Sequence, residues 1–187
     1  MLDEKQIKES SQVVTQLIKE EKIISPKPGT DKFFFKKSRN ALIISKRLYD
    51  LFEEEQLDTH TWVINTAYYS MFFAATALLA KYNHKINVDT GIHKLTYHAL
   101  VYYFIKGESK LKWQIVEEYK EAVKDAEELL QLSEKKLKEL VNDFGFELEK
   151  RKIFTYDLGQ DAERNKALTS YTRAKNFFHE IEKAIER

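Results

Sequence analysis

Residues 61–80 restrict the fold of this chain more than any other stretch, because twenty consecutive residues there carry no charged side chain. A run of this length and composition either crosses a bilayer or forms a helix that the rest of a globular protein buries. Polar side chains interrupt it, and no second run of the same kind accompanies it. We therefore predict a buried central helix and no association with a membrane.

The remainder of the sequence repeats apolar residues at spacings of three and four, which is typical of amphipathic helices. Only 5 glycines and 2 prolines occur in 187 residues, and no Asn-Gly or Asp-Gly pair marks a β-hairpin. The sequence thus predicts an all-α, up-and-down helical bundle of about five to six helices. We expect these helices at about residues 3–23, 31–55, 59–80, 91–105, 112–148 and 161–185.

The predicted long helix at about 112–148 has a heptad pattern, in which residues at alternating steps of three and four share one face. These residues are Val116, Tyr119, Val123, Ala126, Leu130, Ser133, Leu137, Leu140 and Phe144. Two interpretations remain open: a long helix that packs on its own bundle, or a seam for self-association or partner binding. Ser133 favours the first, because a serine weakens a coiled-coil seam.

Pro26, Pro28 and Gly29 mark the clearest break in the chain. The predicted organisation is an N-terminal helix and linker at 1–30, followed by a helical domain at 31–187. The first ten residues lack the apolar core of a secretory signal, so we expect a cytoplasmic protein.

Composition and motifs exclude several functional classes. The 31 basic and 30 acidic residues give a net charge of +1, which disfavours a uniformly basic nucleic-acid clamp. The absence of cysteine removes disulfides, thiolate zinc sites and cysteine nucleophiles. No P-loop, dinucleotide, zincin or hydrolase-elbow motif occurs. His93 and His98 are five residues apart, which places them off one helical face, so we expect neither a metal nor a cofactor.

Three stretches together resemble the HEPN family of helical-bundle domains. They are residues 38–44, an amphipathic helix; residues 65–79, a hallmark helix with the core Tyr-Tyr-Ser-Met-Phe-Phe-Ala-Ala, followed by a Gly-Ile-His-Lys element at 91–94; and residues 151–157, followed by the final helix. The resemblance covers about residues 31–187 and implies a helical bundle that forms a homodimer.

The resemblance also implies where catalysis is expected. Family members that cut RNA use an arginine, four to six further residues and a histidine, without a metal ion. Here Arg151 is followed after four residues by Tyr156, which at neutral pH is a poor general base. Arg173 and His179 form a second match within the last helix, about 120° apart around its axis. These four residues are the candidate catalytic residues, and whether the protein is an enzyme stays open.

Some family members are toxins paired with a nucleotidyltransferase antitoxin that modifies a tyrosine, for which Tyr156 is a candidate. The resemblance therefore implies a protein that binds RNA, a nucleotide or such a partner, in a toxin–antitoxin-like or defence system. Two alternatives are an active metal-independent ribonuclease and a non-catalytic protein that assembles through its long helix. A basic cluster lies beside Phe33, Phe34 and Phe35, whose helical spacing favours core positions over base stacking. The cluster consists of Lys32, Lys36, Lys37, Arg39, Lys46 and Arg47.

Overall fold

The computed structural model describes residues 4–55, 57–107, 111–143 and 160–186; the side chains of residues 55, 107, 129–143 and 160–163 are excepted. Within these ranges the chain forms six α-helices, which confirms the prediction of an all-α bundle with one long helix. They are α1 Glu4–Lys19, α2 Thr30–Glu55, α3 His60–Lys81, α4 Ile92–Leu100 with a π-helical continuation at Val101–Gly107, α5 Trp113–Asp143 and α6 Gln160–Glu186.

Helix α3 lies at the centre of the bundle, as residues 61–80 predict. Side chains are buried on most sides of this helix, because α2, α4, α5 and α6 all contact it. By length and composition α3 is able to cross a membrane, yet 67% of its most apolar window is buried inside the bundle. The lack of charge in this segment is thereby explained by its place in the core.

Helices α2 and α3 run antiparallel. At one end the Phe34 and Phe73 rings lie 5.9 Å apart, and at the other the Thr59 hydroxyl donates to the Leu48 carbonyl at 2.6 Å. Helix α6 runs parallel to α3, because Ala167 packs near the start of α3 and the Ala184 carbonyl accepts a hydrogen bond from Tyr82 just beyond its end.

The middle of the α2–α3 pair is a close helix crossing built from serines. The Ser38 hydroxyl donates to the Ser70 carbonyl at 2.8 Å, and the Ser70 hydroxyl donates to the Ser38 carbonyl at 2.9 Å. A third hydroxyl, that of Ser45, donates to the Val63 carbonyl at 3.1 Å. All three serines are fully buried, so their small side chains let the backbones approach while satisfying every hydroxyl.

The first half of the heptad pattern in α5 belongs to the bundle core. Val116, Tyr119, Val123 and Ala126 are buried in the same cluster as Phe177 of α6. This burial is what the first interpretation, a long helix packed on its own bundle, requires of these positions. The heptad positions from Leu130 onward lie outside the described side chains.

The N-terminal helix ends earlier than predicted, at Lys19 rather than near residue 23. Glu21 adopts a left-handed φ of 54°, and the Lys22 amide donates back to the Leu17 carbonyl at 2.9 Å, which closes the helix. Residues Ile23–Ile24 then form a short strand, β1, that pairs antiparallel with β2, Lys85–Ile86. The segment at 81–90, between the predicted third and fourth helices, therefore contains a strand.

The buried face of α6 includes Ala167 but not the leucine that follows it. Leu168 is 43% exposed, whereas Ala167 is fully buried. Ala167 packs against Val63 and Ile64. A small side chain fits where α6 lies close to the start of α3, and the larger leucine points outward.

A buried histidine joins α1 to α4. The Ser10 hydroxyl lies 3.0 Å from His98 Nδ1, and both side chains are buried. Burial lowers the pKa of His98; Glu9 of α1 opposes this shift, while Lys94 of α4 and Lys120 of α5 add to it. The ring is thus held in its neutral form between the two helices.

We expect this histidine to make the protein less stable in mild acid. Because its pKa is lower in the folded than in the unfolded chain, its contribution is complete above about pH 6.5 and is lost as the pH falls through the folded value. Urea unfolding between about pH 7.5 and 5 is expected to show a loss of stability as the pH falls, and His98→Asn is expected to reduce this loss. The control is His179→Asn, at a half-exposed position of α6, which leaves the contact between Ser10 and His98 in place. An unchanged slope in His98→Asn would contradict the assignment.

Candidate nucleic-acid interface

Two of the four predicted catalytic residues, Arg151 and Tyr156, lie outside the described residues. The other two lie on α6 and make different contacts. Arg173 is 13% exposed, and its Nη1 and Nη2 donate to Asp125 Oδ2 at 2.7 Å and to Glu121 Oε2 at 2.9 Å. His179 is half exposed, with Nδ1 3.6 Å from Glu182 Oε2.

These contacts give Arg173 a structural role. Its guanidinium joins α6 to α5, and two carboxylates balance its charge, so binding a phosphate there would require breaking both ion pairs. His179 contacts a carboxylate on its own helix and no part of this arrangement. The structure accordingly does not bring Arg173 and His179 together as a catalytic pair.

The strength of the Arg173 contact is measurable by a double-mutant cycle. We expect a coupling free energy of about 1–3 kcal/mol between Arg173→Met and Asp125→Asn, because the guanidinium is largely buried and its bonds are charge-assisted. The matched control is the exposed pair of Arg39 and Glu182, 3.3 Å apart, for which Arg39→Met and Glu182→Gln are expected to couple by about 0–0.5 kcal/mol. Equal coupling in both cycles, measured by urea unfolding, would argue against the structural role.

A cleft of about 680 Å³ lies between α5 and α6 and includes His179 in its lining. Burial raises the pKa of the Glu118 carboxyl in this cleft, while Arg173 acts in the opposite direction. The charged side chains in the lining are Lys112, Lys183, Glu118, Glu180, Glu182 and Glu186. Acids outnumber bases here, so the cleft is poorly suited to an anionic ligand.

A different surface, on α2 and α3, exposes aromatic rings. We call it the α2–α3 face, and it consists of Phe33, Lys37 and Ile44 on α2 and Trp62, Tyr69 and Phe73 on α3. On α3 these residues recur at steps of seven and four, which places them on one side of the helix. Trp62 is 63% exposed and Tyr69 is 44% exposed. Tyr69 stacks on Phe73 with ring centroids 5.8 Å apart.

The α2 part of this face corrects the interpretation of Phe33. The sequence favours core positions for Phe33, Phe34 and Phe35, but Phe33 is 55% exposed. Phe34 packs against Phe73, and Phe35 stacks on Phe178 of α6 at 4.9 Å. Those two rings occupy the contacts with α3 and α6, and Phe33 stays exposed to solvent.

A lysine connects the two helices on this surface. Lys37 Nζ lies 5.0 Å from the ring centre of Phe33 and 5.6 Å from that of Phe73. Such cation–π contacts hold a positive charge directly over an exposed aromatic surface. An anionic ligand with flat apolar parts could contact both a positive charge and an aromatic ring at this position.

The predicted basic cluster divides into two groups in the structure. Arg39 pairs with Glu182, and Lys46 pairs with Asp50. The remaining members form no ion pair with any residue in the described part of the chain, and we call them the α2 ridge: Lys32, Lys36, Lys37 and Arg47. No acidic residue occurs between positions 32 and 49 or between 59 and 81, so the charges that α2 and α3 contribute here are all positive.

His93 lies at one edge of this surface. Its ring is 4.4 Å from Phe72, 5.3 Å from Tyr68 and 6.4 Å from Tyr69. Burial lowers the pKa of His93, and Glu127 of α5 opposes this shift. The imidazole is therefore held in its neutral form, and its buried Nδ1 has no hydrogen-bond partner within the described ranges.

The described residues contain no group of three or more histidine, aspartate or glutamate side chains that would hold a metal ion. A comparison with known proteins finds no family model and no curated protein that matches this sequence. The HEPN resemblance accordingly stays a prediction.

The sequence did not identify Trp62 and Tyr69 as exposed surface residues. The whole of 61–80 is uncharged, and its exposed side has no polar pattern that would mark it.

Proposed function

We propose that this chain is a HEPN-like helical-bundle protein that binds RNA without cleaving it, as part of a toxin–antitoxin-like or defence system. The observation that carries this proposal is the α2–α3 face with its adjoining α2 ridge, where exposed aromatic rings lie beside the positive charges of α2. Backbone phosphates are the anions that lysine and arginine side chains bind in nucleic-acid complexes.

Two further observations favour binding over catalysis. Arg173, the arginine of the second motif match, is held in ion pairs with Glu121 and Asp125. The first match has Tyr156 where a catalytic histidine is expected, and tyrosine at neutral pH is a poor proton acceptor. A protein that has a tyrosine in place of this histidine can still bind a polyanion but lacks the usual proton-transfer group.

The experiment is a binding and cleavage assay with a labelled pool of RNA in the presence of a chelator, at about 50 and 200 mM salt. We expect binding that weakens with salt and intact RNA after prolonged incubation. Replacing Lys32, Lys36 and Lys37 together with glutamine is expected to weaken binding at least tenfold and to reduce the salt slope by about 2. The control replaces Lys19, Lys166 and Lys175, on α1 and α6, and removes the same charge.

Each outcome is informative. Equal losses in the two triple variants would indicate a non-specific charge effect and contradict the assignment of the surface. Cleavage that Arg151→Ala or His179→Ala abolishes, in variants of confirmed helicity, would establish the ribonuclease alternative instead.

A further inference from the structure

Neighbouring aromatic rings support Tyr69 on the α2–α3 face. Tyr69 packs against Tyr68 at 5.4 Å and Phe73 at 5.8 Å, while part of its ring stays open to solvent. Trp62 and Tyr69 both project from α3, whose other sides are buried in the core. Aromatic side chains that are already fixed lose little conformational entropy when a flat ligand stacks on them.

The spacing of these rings suits separate bases along a strand. Trp62 and Tyr69 are seven residues apart on one helix, which is about 10 Å along its axis. Phe73 and Phe33 extend the row at the far end of the helix pair, where Lys37 lies over both rings. In an RNA duplex the bases are paired and stacked on each other, so a flat aromatic side chain gains nothing from them, whereas unpaired bases stack readily on such rings.

The positive charges of the α2 ridge favour some of the ligands that an apolar surface could bind over others. A second copy of this chain in a two-fold dimer would bring the same α2 ridge towards itself and oppose like charges. A neutral apolar partner would leave Lys32, Lys36 and Arg47 without any counter-charge. A single strand of RNA supplies phosphates for the ridge and bases for the rings together.

From this geometry we infer that the α2–α3 face binds single-stranded RNA by stacking bases on Trp62 and Tyr69, while the α2 ridge contacts the phosphates. The inference rests on the proposed function and adds the class of RNA and the residues that recognise it. Base stacking tolerates any sequence, because every base has a flat face. Little sequence preference is therefore expected from this surface.

The chain contains 2 tryptophans, so Trp113→Phe leaves Trp62 as the sole tryptophan reporter. In this variant we expect a 12-nucleotide single strand to quench the fluorescence of Trp62. A duplex of the same sequence and an abasic ribose-phosphate strand of the same length are the comparison ligands. Both are expected to bind at least tenfold more weakly and to leave the fluorescence nearly unchanged.

Two substitutions test the rings individually. Trp62→Ala and Tyr69→Ala are each expected to weaken binding of the single strand by about 5- to 100-fold, the loss of one stacked base, while Trp62→Phe keeps most of the affinity. The matched control is Leu168→Ala, which removes from α6 an apolar side chain about as exposed as that of Tyr69. Thermal unfolding of all variants checks that the fold is retained.

The outcomes separate this inference from the proposed function. The stacking inference is overturned if the aromatic variants bind RNA as tightly as the wild-type chain and the abasic strand binds as tightly as the ordinary single strand. RNA binding through the α2 ridge would survive that result. If the wild-type chain binds no RNA, the proposed function fails as well. If Trp62→Ala converts a dimer into a monomer in the absence of RNA, the face is a self-association surface, and this result also overturns the inference.

Discussion

Phe177→Ala is expected to lower the free energy of unfolding by about 3–5 kcal/mol, because it removes a large side chain from a closely packed core. Phe177 is fully buried, and its ring lies 5.6 Å from that of Tyr119, which is also fully buried. These two residues connect α6 with α5 in the centre of the main core cluster. The cavity left by the alanine is enclosed on all sides, so the neighbours relax only in part.

Chemical unfolding in urea measures this loss directly. Leu168→Ala on the same helix is the control and is expected to change the free energy of unfolding by no more than about 0.5 kcal/mol, since Leu168 is 43% exposed. Similar small effects at both positions would mean that α6 is not packed against the core in the way the structure has it.

The second large effect is expected at the serine crossing of α2 and α3. Ser70→Leu is expected to destabilise the protein by about 3 kcal/mol or more, because a leucine side chain does not fit where Ser38 and Ser70 bring the two backbones together. The substitution also removes the hydroxyl that donates to the Ser38 carbonyl, and this group is buried.

Two further variants separate the steric contribution to this destabilisation from the loss of the hydrogen bond. Ser70→Ala is expected to cost about 1 kcal/mol, since it removes only the hydroxyl. Thr61→Leu, at an exposed position of the same helix, is expected to be nearly neutral. A thermal unfolding series would show a drop of several degrees for Ser70→Leu and little change for Thr61→Leu. If Ser70→Leu were tolerated as well as Ser70→Ala, the helices would have to lie farther apart than in the structure.

The candidate surface and the candidate catalytic residues were predictable to different degrees. The basic cluster on α2 is visible in the sequence, but the sequence does not show which of its side chains form ion pairs. Only the contacts of Arg39 with Glu182 and of Lys46 with Asp50 show which of the charges are already paired. Arg173 and His179 match a motif by spacing alone, and spacing does not include the carboxylates of α5 that Arg173 contacts.

By itself the sequence determined the helical class, the central position of α3 and the apolar face at the start of α5, whose packing on its own bundle only the structure shows. Hydrophobic periodicity and the lack of charge in 61–80 act through local geometry and solvation, and both can be read from one segment without knowledge of its neighbours. The tertiary structure decided which side of an apolar helix stays exposed, as at Trp62 and Tyr69, and which phenylalanine of 33–35 faces solvent. Those outcomes depend on where neighbouring helices pack, and no pattern within one segment contains that information.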